Sequence, residues 1–141
     1  MRAVIQRVAG ARCEVAGKEI SGFQGEGLVA LVGVGLDDAA PAAQRIARKI
    51  AELKLLRGDR SVLEATAPVL LISQFTLYAD TRKGRKPSWS KAAPADQAEP
   101  LVELVATELE ERGVVVGRGV FGADMLVTLA NDGPVTVIVD T

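Results

Sequence analysis

The sequence predicts a single α+β domain over residues 1–141, a mostly antiparallel, barrel-like sheet with two main helices. Three observations predict it. The chain reads strands, helix, strand, helix, strands, an order that favours antiparallel sheet packed by helices over a doubly wound sheet. Its 141 residues suit one hydrophobic core. Its 48% hydrophobic content includes only 4% aromatic residues, so the core is built of Val, Leu, Ile and Ala. So apolar a small globule is expected to bury part of its surface against a second copy, as a homodimer.

The elements follow in order. Ala3 to Val8 and Arg12 to Val15 mix apolar and polar residues at short range and read as strands, punctuated by Gly17 and Gly22. Gly27 opens a buried strand from Leu28 to Val34. Asp37, Asp38 and Pro41 mark a helix start. Ile46, Ile50 and Leu53 then fall on one helical face, with Arg45, Arg48, Lys49 and Glu52 elsewhere, and Gly58 and Asp59 end the helix. A strand from Val69 through Phe75 leads into a basic loop. A second helix covers Ala95 to Arg112, with Leu101, Leu104, Val105 and Leu109 inward and Gly113 as its stop. Pro100 lies inside it and is expected to kink or restart it. Strands at Val114–Val116, Met125–Leu129 and Val135–Val139 close the chain.

Composition removes several function classes. There is no histidine, so no Ser-His-Asp or Cys-His constellation can form. Hydrolysis would have to rely on hydroxyls, amides, backbone N–H groups or the substrate itself. The lone Cys13 has no internal disulfide partner and fits a reducing compartment. Residues Met1 to Arg7 are too short and polar for a signal peptide, and the apolar run from Leu28 to Leu36 is too short to span a membrane. A cytoplasmic protein with no membrane partner is expected. No Cys/His or carboxylate cluster has metal-ligand spacing, so neither metal nor cofactor is expected. The glycines of Gly25-Glu26-Gly27 precede a strand instead of opening a helix, so they make no dinucleotide site. Ser88-Trp89-Ser90-Lys91 lacks the companions of a Ser-x-x-Lys enzyme, and Arg57-Gly58-Asp59 reads as a helix-ending turn.

The net charge of −1 hides an asymmetry. Arg82, Lys83, Arg85, Lys86 and Lys91 crowd around Pro87 and Trp89, while acid gathers between Asp96 and Glu111. The balance argues against a general nucleic-acid or DNA coat. A basic loop with one aromatic suits a phosphate backbone carrying a stackable base, and it equally fits a solvated charged loop.

Two polar motifs stand inside apolar strands. Ser73-Gln74-Phe75-Thr76 follows four apolar residues. Strand alternation would put Ser73 and Phe75 on one face and Gln74 and Thr76 on the other. Asn131-Asp132-Gly133-Pro134-Val135-Thr136 separates two strong strand runs. Proline cannot donate to a ladder, so Pro134 must sit at a turn or an edge. An X-Pro bond is where a cis peptide costs least, about 0.5–1 kcal/mol over trans. A Gly133–Pro134 turn of that kind would present bare carbonyl oxygens to a ligand; a plain hairpin turn is the simpler reading.

Together these motifs carry a resemblance. The chain resembles the D-aminoacyl-tRNA deacylases (D-tyrosyl-tRNA deacylase) over essentially its whole length. The resemblance runs from Ala3-Val4-Ile5-Gln6-Arg7-Val8 through Leu71 to Leu77 and Asp80 to Trp89, where the family more often has Phe at the last position. It closes with Phe121-Gly122-Ala123-Asp124-Met125 and Asn131 to Thr136. One stretch departs: Arg57 to Pro68 is several residues shorter than usual, with Ala65-Thr66-Ala67-Pro68 in place of a Gly-containing hairpin.

The resemblance implies hydrolysis of the ester between a D-amino acid and the tRNA 3′ end, without cofactor or metal. It implies catalysis at Ser73, Gln74, Phe75 and Thr76, and chiral selection at Gly133 and Pro134 with Asn131, Thr136 and Arg7. Phe121 and Met125 would line a pocket for the terminal adenosine and aminoacyl group. Arg82, Lys83, Arg85, Lys86 and Lys91 would meet tRNA phosphates. By the same resemblance the Gly–cis-Pro motif of one subunit enters its partner's site, captures the α-ammonium and leaves no room for an L side chain. Glycine, without a side chain, would escape that filter. The alternative is a non-catalytic module that binds RNA 3′ ends.

Overall fold

The computed structural model describes residues 1–82 and 84–141. Its first strand, Arg2–Val15 (β1), is one element where two were expected. Gly10, at φ 126°, takes up a slip in register with the next strand. Val8 faces away from Ala3 and Ile5 by plain alternation, and the slip brings Ala11 and Cys13 to the same side as Val8. Lys18–Gly33 (β2) returns antiparallel beside it.

The first long helix, Ala40–Glu52 (α1), starts with Pro41 in its first turn and buries Ala43, Ile46, Ala47 and Ile50. It stops before Gly58 and Asp59, which form a separate left-handed turn. The stretch after α1 holds a small helix, Val62–Ala65 (α2). Ser61 Oγ accepts from the Glu64 N–H at 3.2 Å, and the Glu64 carboxylate accepts from the Ser61 N–H at 2.8 Å. That reciprocal cap makes so short a helix tenable.

Val69–Ser73 (β3) lies parallel to β2, and Val116–Arg118 (β4) parallel to β3. Between them, Ala95–Glu111 (α3) runs unbroken through Pro100. The proline sits early in the helix with its ring in solvent, so it removes one bond near an end and forces no restart. Met125–Asp140 (β5) pairs antiparallel with β1. The order is β4-β3-β2-β1-β5.

The sheet is therefore mixed, and it is open, with β4 and β5 as its two edges. The barrel expectation fails because helices carry the chain from β2 to β3 and from β3 to β4. A crossover of that length returns a strand parallel and leaves it at an edge. The antiparallel pairings are nonetheless the long ones. Curvature still brings the far end of β2 round to β4, where Ser21 Oγ donates to the Arg118 carbonyl at 2.6 Å.

Two cores result. One packs Ile5, Leu28, Val32 and Leu71 against α1 and α3; the other gathers Val8, Cys13, Val29, Leu70 and Ile72 on the opposite face. Among the described residues, no helix is long and apolar enough to cross a membrane.

Candidate functional site

The first polar motif does not continue its strand. Gln74 N–H makes a last bond to the Val32 carbonyl at 2.7 Å, and residues Phe75–Tyr78 then wind into a 3-10 turn. The floor beneath it is glycine. A Cβ on Gly33 would lie 2.9 Å from the Gln74 carbonyl oxygen, and one on Gly35 2.8 Å from the Tyr78 ring. Because the chain turns, the expected alternation is overturned. Ser73, Gln74 and Phe75 all line one cleft of about 430 Å³. Phe121 and Met125 line it too, as do Ala95, Ala98 and Val102 of α3.

The cleft is largely apolar, with its polar groups at the mouth of β3. Gln74 Nε2 donates to Thr76 Oγ1 at 2.5 Å. The N–H groups of Phe75 and Thr76 open the 3-10 turn and have no acceptor within it. Among the described residues neither group has a backbone acceptor, so both can donate to an oxyanion.

The second motif is a bulge. The register between β1 and β5 passes from Gln6↔Thr136 to Val8↔Asn131, so residues 132–135 stand opposite Arg7 alone. The Gly133–Pro134 peptide in this bulge is cis, and the strand carrying it lies at the sheet edge, where a proline is tolerated. The expected turn between two strands is thus a bulge in one continuous strand.

Arg7 is buried and grips the bulge from below. Its Nε donates to the Asp132 carbonyl at 3.0 Å, its Nη2 to the Gly133 carbonyl at 3.0 Å, and its Nη1 to the Leu55 carbonyl at 3.4 Å. Gln6, its neighbour in sequence, points the other way. Gln6 Nε2 donates to the Val135 carbonyl at 2.9 Å and to Asn131 Oδ1, while Gln6 Oε1 accepts from the Thr136 hydroxyl. The bulge carbonyls are therefore not bare. Each of the two that Arg7 holds keeps one further lone pair.

Asp132 adds a second arginine. Arg57 reaches both of its carboxylate oxygens, with Nε–Oδ2 at 3.0 Å. The hydrogen bond from Arg57, then the charges of Arg57 and Arg7, hold the Asp132 carboxyl below the ordinary carboxylate range. None of the bulge residues lines the cleft within this chain.

The basic loop closes where Asp80 and Ser88 exchange backbone hydrogen bonds of 2.8 and 3.0 Å. The Asp80 side chain also binds Arg82, with Nε–Oδ1 at 2.9 Å, and lies 3.6 Å from Lys91 Nζ. Arg82 holds the Asp80 carboxyl well below its usual range. Two of the expected phosphate ligands are thus paired internally. Arg85 and Lys86 are exposed and form no ion pair among the described residues, and Lys83 lies outside the described residues.

Sequence reasoning missed Gln6, Arg57, Asp80 and Asp132. Gln6 and Arg7 were visible as a polar pair interrupting an apolar strand, but their partner was more than a hundred residues away. Arg57 carried no signal, because a helix-ending turn accounts for it fully.

The family described as D-Tyr-tRNA(Tyr) deacylase matches residues 4–140. A protein of Beutenbergia cavernae named D-aminoacyl-tRNA deacylase is 59% identical over 140 residues, covering 99% of each chain. One of the same name from Acidothermus cellulolyticus is 56% identical over the same length and coverage. Among solved structures, a c-Myc DNA unwinding element binding protein aligns with a TM-score of 0.92 at 35% identity, covering 100% of this chain and 99% of the other. A probable eukaryotic D-amino acid tRNA deacylase aligns at 0.87 and 16% identity, covering 99% and 98%; at that identity the likeness is one of fold alone.

Proposed function

The chain belongs to the D-Tyr-tRNA(Tyr) deacylase family, and from that premise we propose that it hydrolyses the ester joining a D-amino acid to the 3′ end of tRNA. Water adds its oxygen to the acyl carbon and the bond from that carbon to the ribose oxygen breaks. The products are the free D-amino acid and tRNA with its terminal hydroxyl restored. The observation that carries this reading is the cleft in which Ser73, Gln74 and Phe75 converge with Phe121 and Met125, in a protein without histidine.

An aminoacyl ester flanked by a 2′-OH and an α-ammonium is already labile, so positioning and oxyanion donors suffice. The free N–H groups of Phe75 and Thr76 are the donors, and Phe121 and Met125 seat the terminal adenosine and aminoacyl group. Thr76 orients and does not attack. Its oxygen already accepts from Gln74, and a hydroxyl without an adjacent base is a weak nucleophile.

Chirality is read by the Gly133–Pro134 bulge, with Asn131, Thr136 and Arg7 shaping it. Backbone oxygens take the α-ammonium and an L side chain meets backbone; glycyl-tRNA passes the same filter. Because the bulge stays outside its own chain's cleft, it acts in a partner's cleft, within a cytoplasmic homodimer. Leu126 and Ile138 on the edge strand, 65% and 67% exposed, are apolar surface that such a dimer would cover. Arg85 and Lys86, joined by Arg82 and Lys91 on release from Asp80, meet acceptor-end phosphates.

The test is hydrolysis of D- against L-aminoacyl-tRNA. Turnover of the D ester alone supports the proposal. Retention of tRNA without turnover would favour a binding module instead. The likeness to a DNA unwinding element binding protein makes DNA the comparison ligand in that assay.

A further inference from the structure

Two arginines share the Asp132 side chain at the bulge. Arg7 rises from β1 beneath the strand, and its Nε stands 3.0 Å from the Asp132 carbonyl and 3.3 Å from Oδ2 of the Asp132 carboxylate. Arg57 comes from the turn after α1 and engages both carboxylate oxygens. A buried guanidinium pairs best with a carboxylate in a two-pronged fork. Left alone with Arg7, the Asp132 carboxylate would therefore compete with the backbone carbonyls for it.

Arg57 is held where it can prevent this. Its N–H donates to Glu26 Oε1 at 2.7 Å, and its carbonyl accepts from Arg60 Nε at 3.0 Å. Arg60 Nη2 reaches Glu26 Oε2 at 2.9 Å, and Leu56 N–H donates to the Arg60 carbonyl at 3.0 Å. Glu26 thus fastens the turn to β2, and the Arg57 side chain crosses to β5 from a fixed base. The tight turn that makes this possible passes through Gly58 and Asp59, at φ 74° and 53°.

We propose that Arg57 is a positioning residue for chiral selection: by occupying the Asp132 carboxylate it keeps Arg7 on the Asp132 and Gly133 carbonyls and so fixes where the bulge presents its oxygens. The inference rests on the bulge being the element that reads chirality. Arg57 touches no substrate. It acts through Asp132 on Arg7, and through Arg7 on the backbone. The turn between α1 and α2 would then contribute to selectivity.

The experiment compares Arg57→Ala, Asp132→Asn and the double variant with the parent protein on D- and L-aminoacyl-tRNA. Arg57→Ala should lower kcat for the D ester roughly fivefold, leave KM for tRNA unchanged and raise the relative rate on the L ester. Arg57→Lys, which keeps the charge but not the fork, should recover part of the loss. Adding Asp132→Asn to Arg57→Ala removes the competing carboxylate, so the double variant should be more selective than Arg57→Ala alone. A purely stabilising ion pair would show no such restoration.

Backbone hydrogen exchange at Asn131, Asp132, Gly133, Val135 and Thr136 reads the same device without any substrate. It should quicken in Arg57→Ala and return towards parent rates in the double variant. Unchanged exchange in Arg57→Ala, or a double variant no better than Arg57→Ala, overturns the proposal. An inactive parent protein with the exchange pattern intact would instead overturn the deacylase reading and leave the clamp standing.

Discussion

The Trp89 ring meets the Phe75 ring edge-on, with centroids 5.5 Å apart and planes at 76°. Phe75 lines the cleft and Trp89 belongs to the basic loop, so the loop rests directly on the motif at the cleft mouth. Trp89 is the sole tryptophan, which makes its emission a report on that contact. Adding tRNA should shift the emission. Trp89→Ala removes an edge-on pairing worth about 0.5–1.5 kcal/mol and should raise KM several-fold, while Trp89→Phe should stay near the parent value. Equal KM values for all three proteins would show that the ring pair has no part in binding.

Thr76→Val separates orientation from attack. A missing nucleophile would cost roughly a thousandfold or more in kcat, whereas a missing orienting hydroxyl should cost on the order of tenfold. We expect the smaller loss in single-turnover assays. A trapped aminoacyl ester on Thr76 would reverse this assignment.

Charge changes in the basic loop should act in opposite directions. Neutralising Arg85 and Lys86 together should raise KM and flatten the slope of log KM against log salt, by about 0.7–0.9 for each phosphate that no longer meets a cation. Asp80→Asn frees Arg82 and Lys91 from their internal partner, so it should lower KM and steepen that slope. The ratio of D to L turnover should not move in either variant, and titrating KM against salt with both substrates checks all three statements.

Tyr78, the only tyrosine, gives a direct titration. Burial, followed by the Asp38 carboxylate that its hydroxyl approaches at 3.3 Å, pushes its hydroxyl up to about 12 from the ordinary 10.0. The native state therefore keeps this proton where the unfolded chain has lost it. Its contribution to stability is complete below pH 10 and is lost as the pH climbs towards 12. Absorbance of the ionised ring should give a midpoint near the upper value, Asp38→Asn should lower it, and Tyr78→Phe should flatten the fall in urea stability across that interval.

The proposed action in trans within a homodimer predicts complementation. Gln74→Ala damages the cleft and Arg7→Ala the bulge, so each homodimer should be nearly inactive. Mixed and refolded together, they form heterodimers with one intact cleft facing one intact bulge. About a quarter of parent activity should return if exchange is random and the two sites work independently. A mixture no more active than its parts, or a parent protein that sediments as a monomer while turning over substrate, would falsify the shared site.

Periodicity was enough to locate α1, α3 and the buried strands, because burial imposes its spacing on local sequence. Ser73–Thr76 and Asn131–Thr136 stood out by the same logic, as polar residues where apolar ones were due. What the sequence could not determine was direction and contact. Whether β3 ran parallel to β2 depended on how α1 and α2 crossed the sheet. That Gln74 turned into the cleft with Ser73 depended on Gly33 and Gly35 leaving room for a 3-10 turn. Arg7, Arg57 and Asp132 met because β1, the turn after α1 and β5 converge at one bulge. Those encounters span up to 125 positions of chain, and no local pattern encodes an ion pair between residues so far apart. Only the assembled sheet brings those charges within reach of one another.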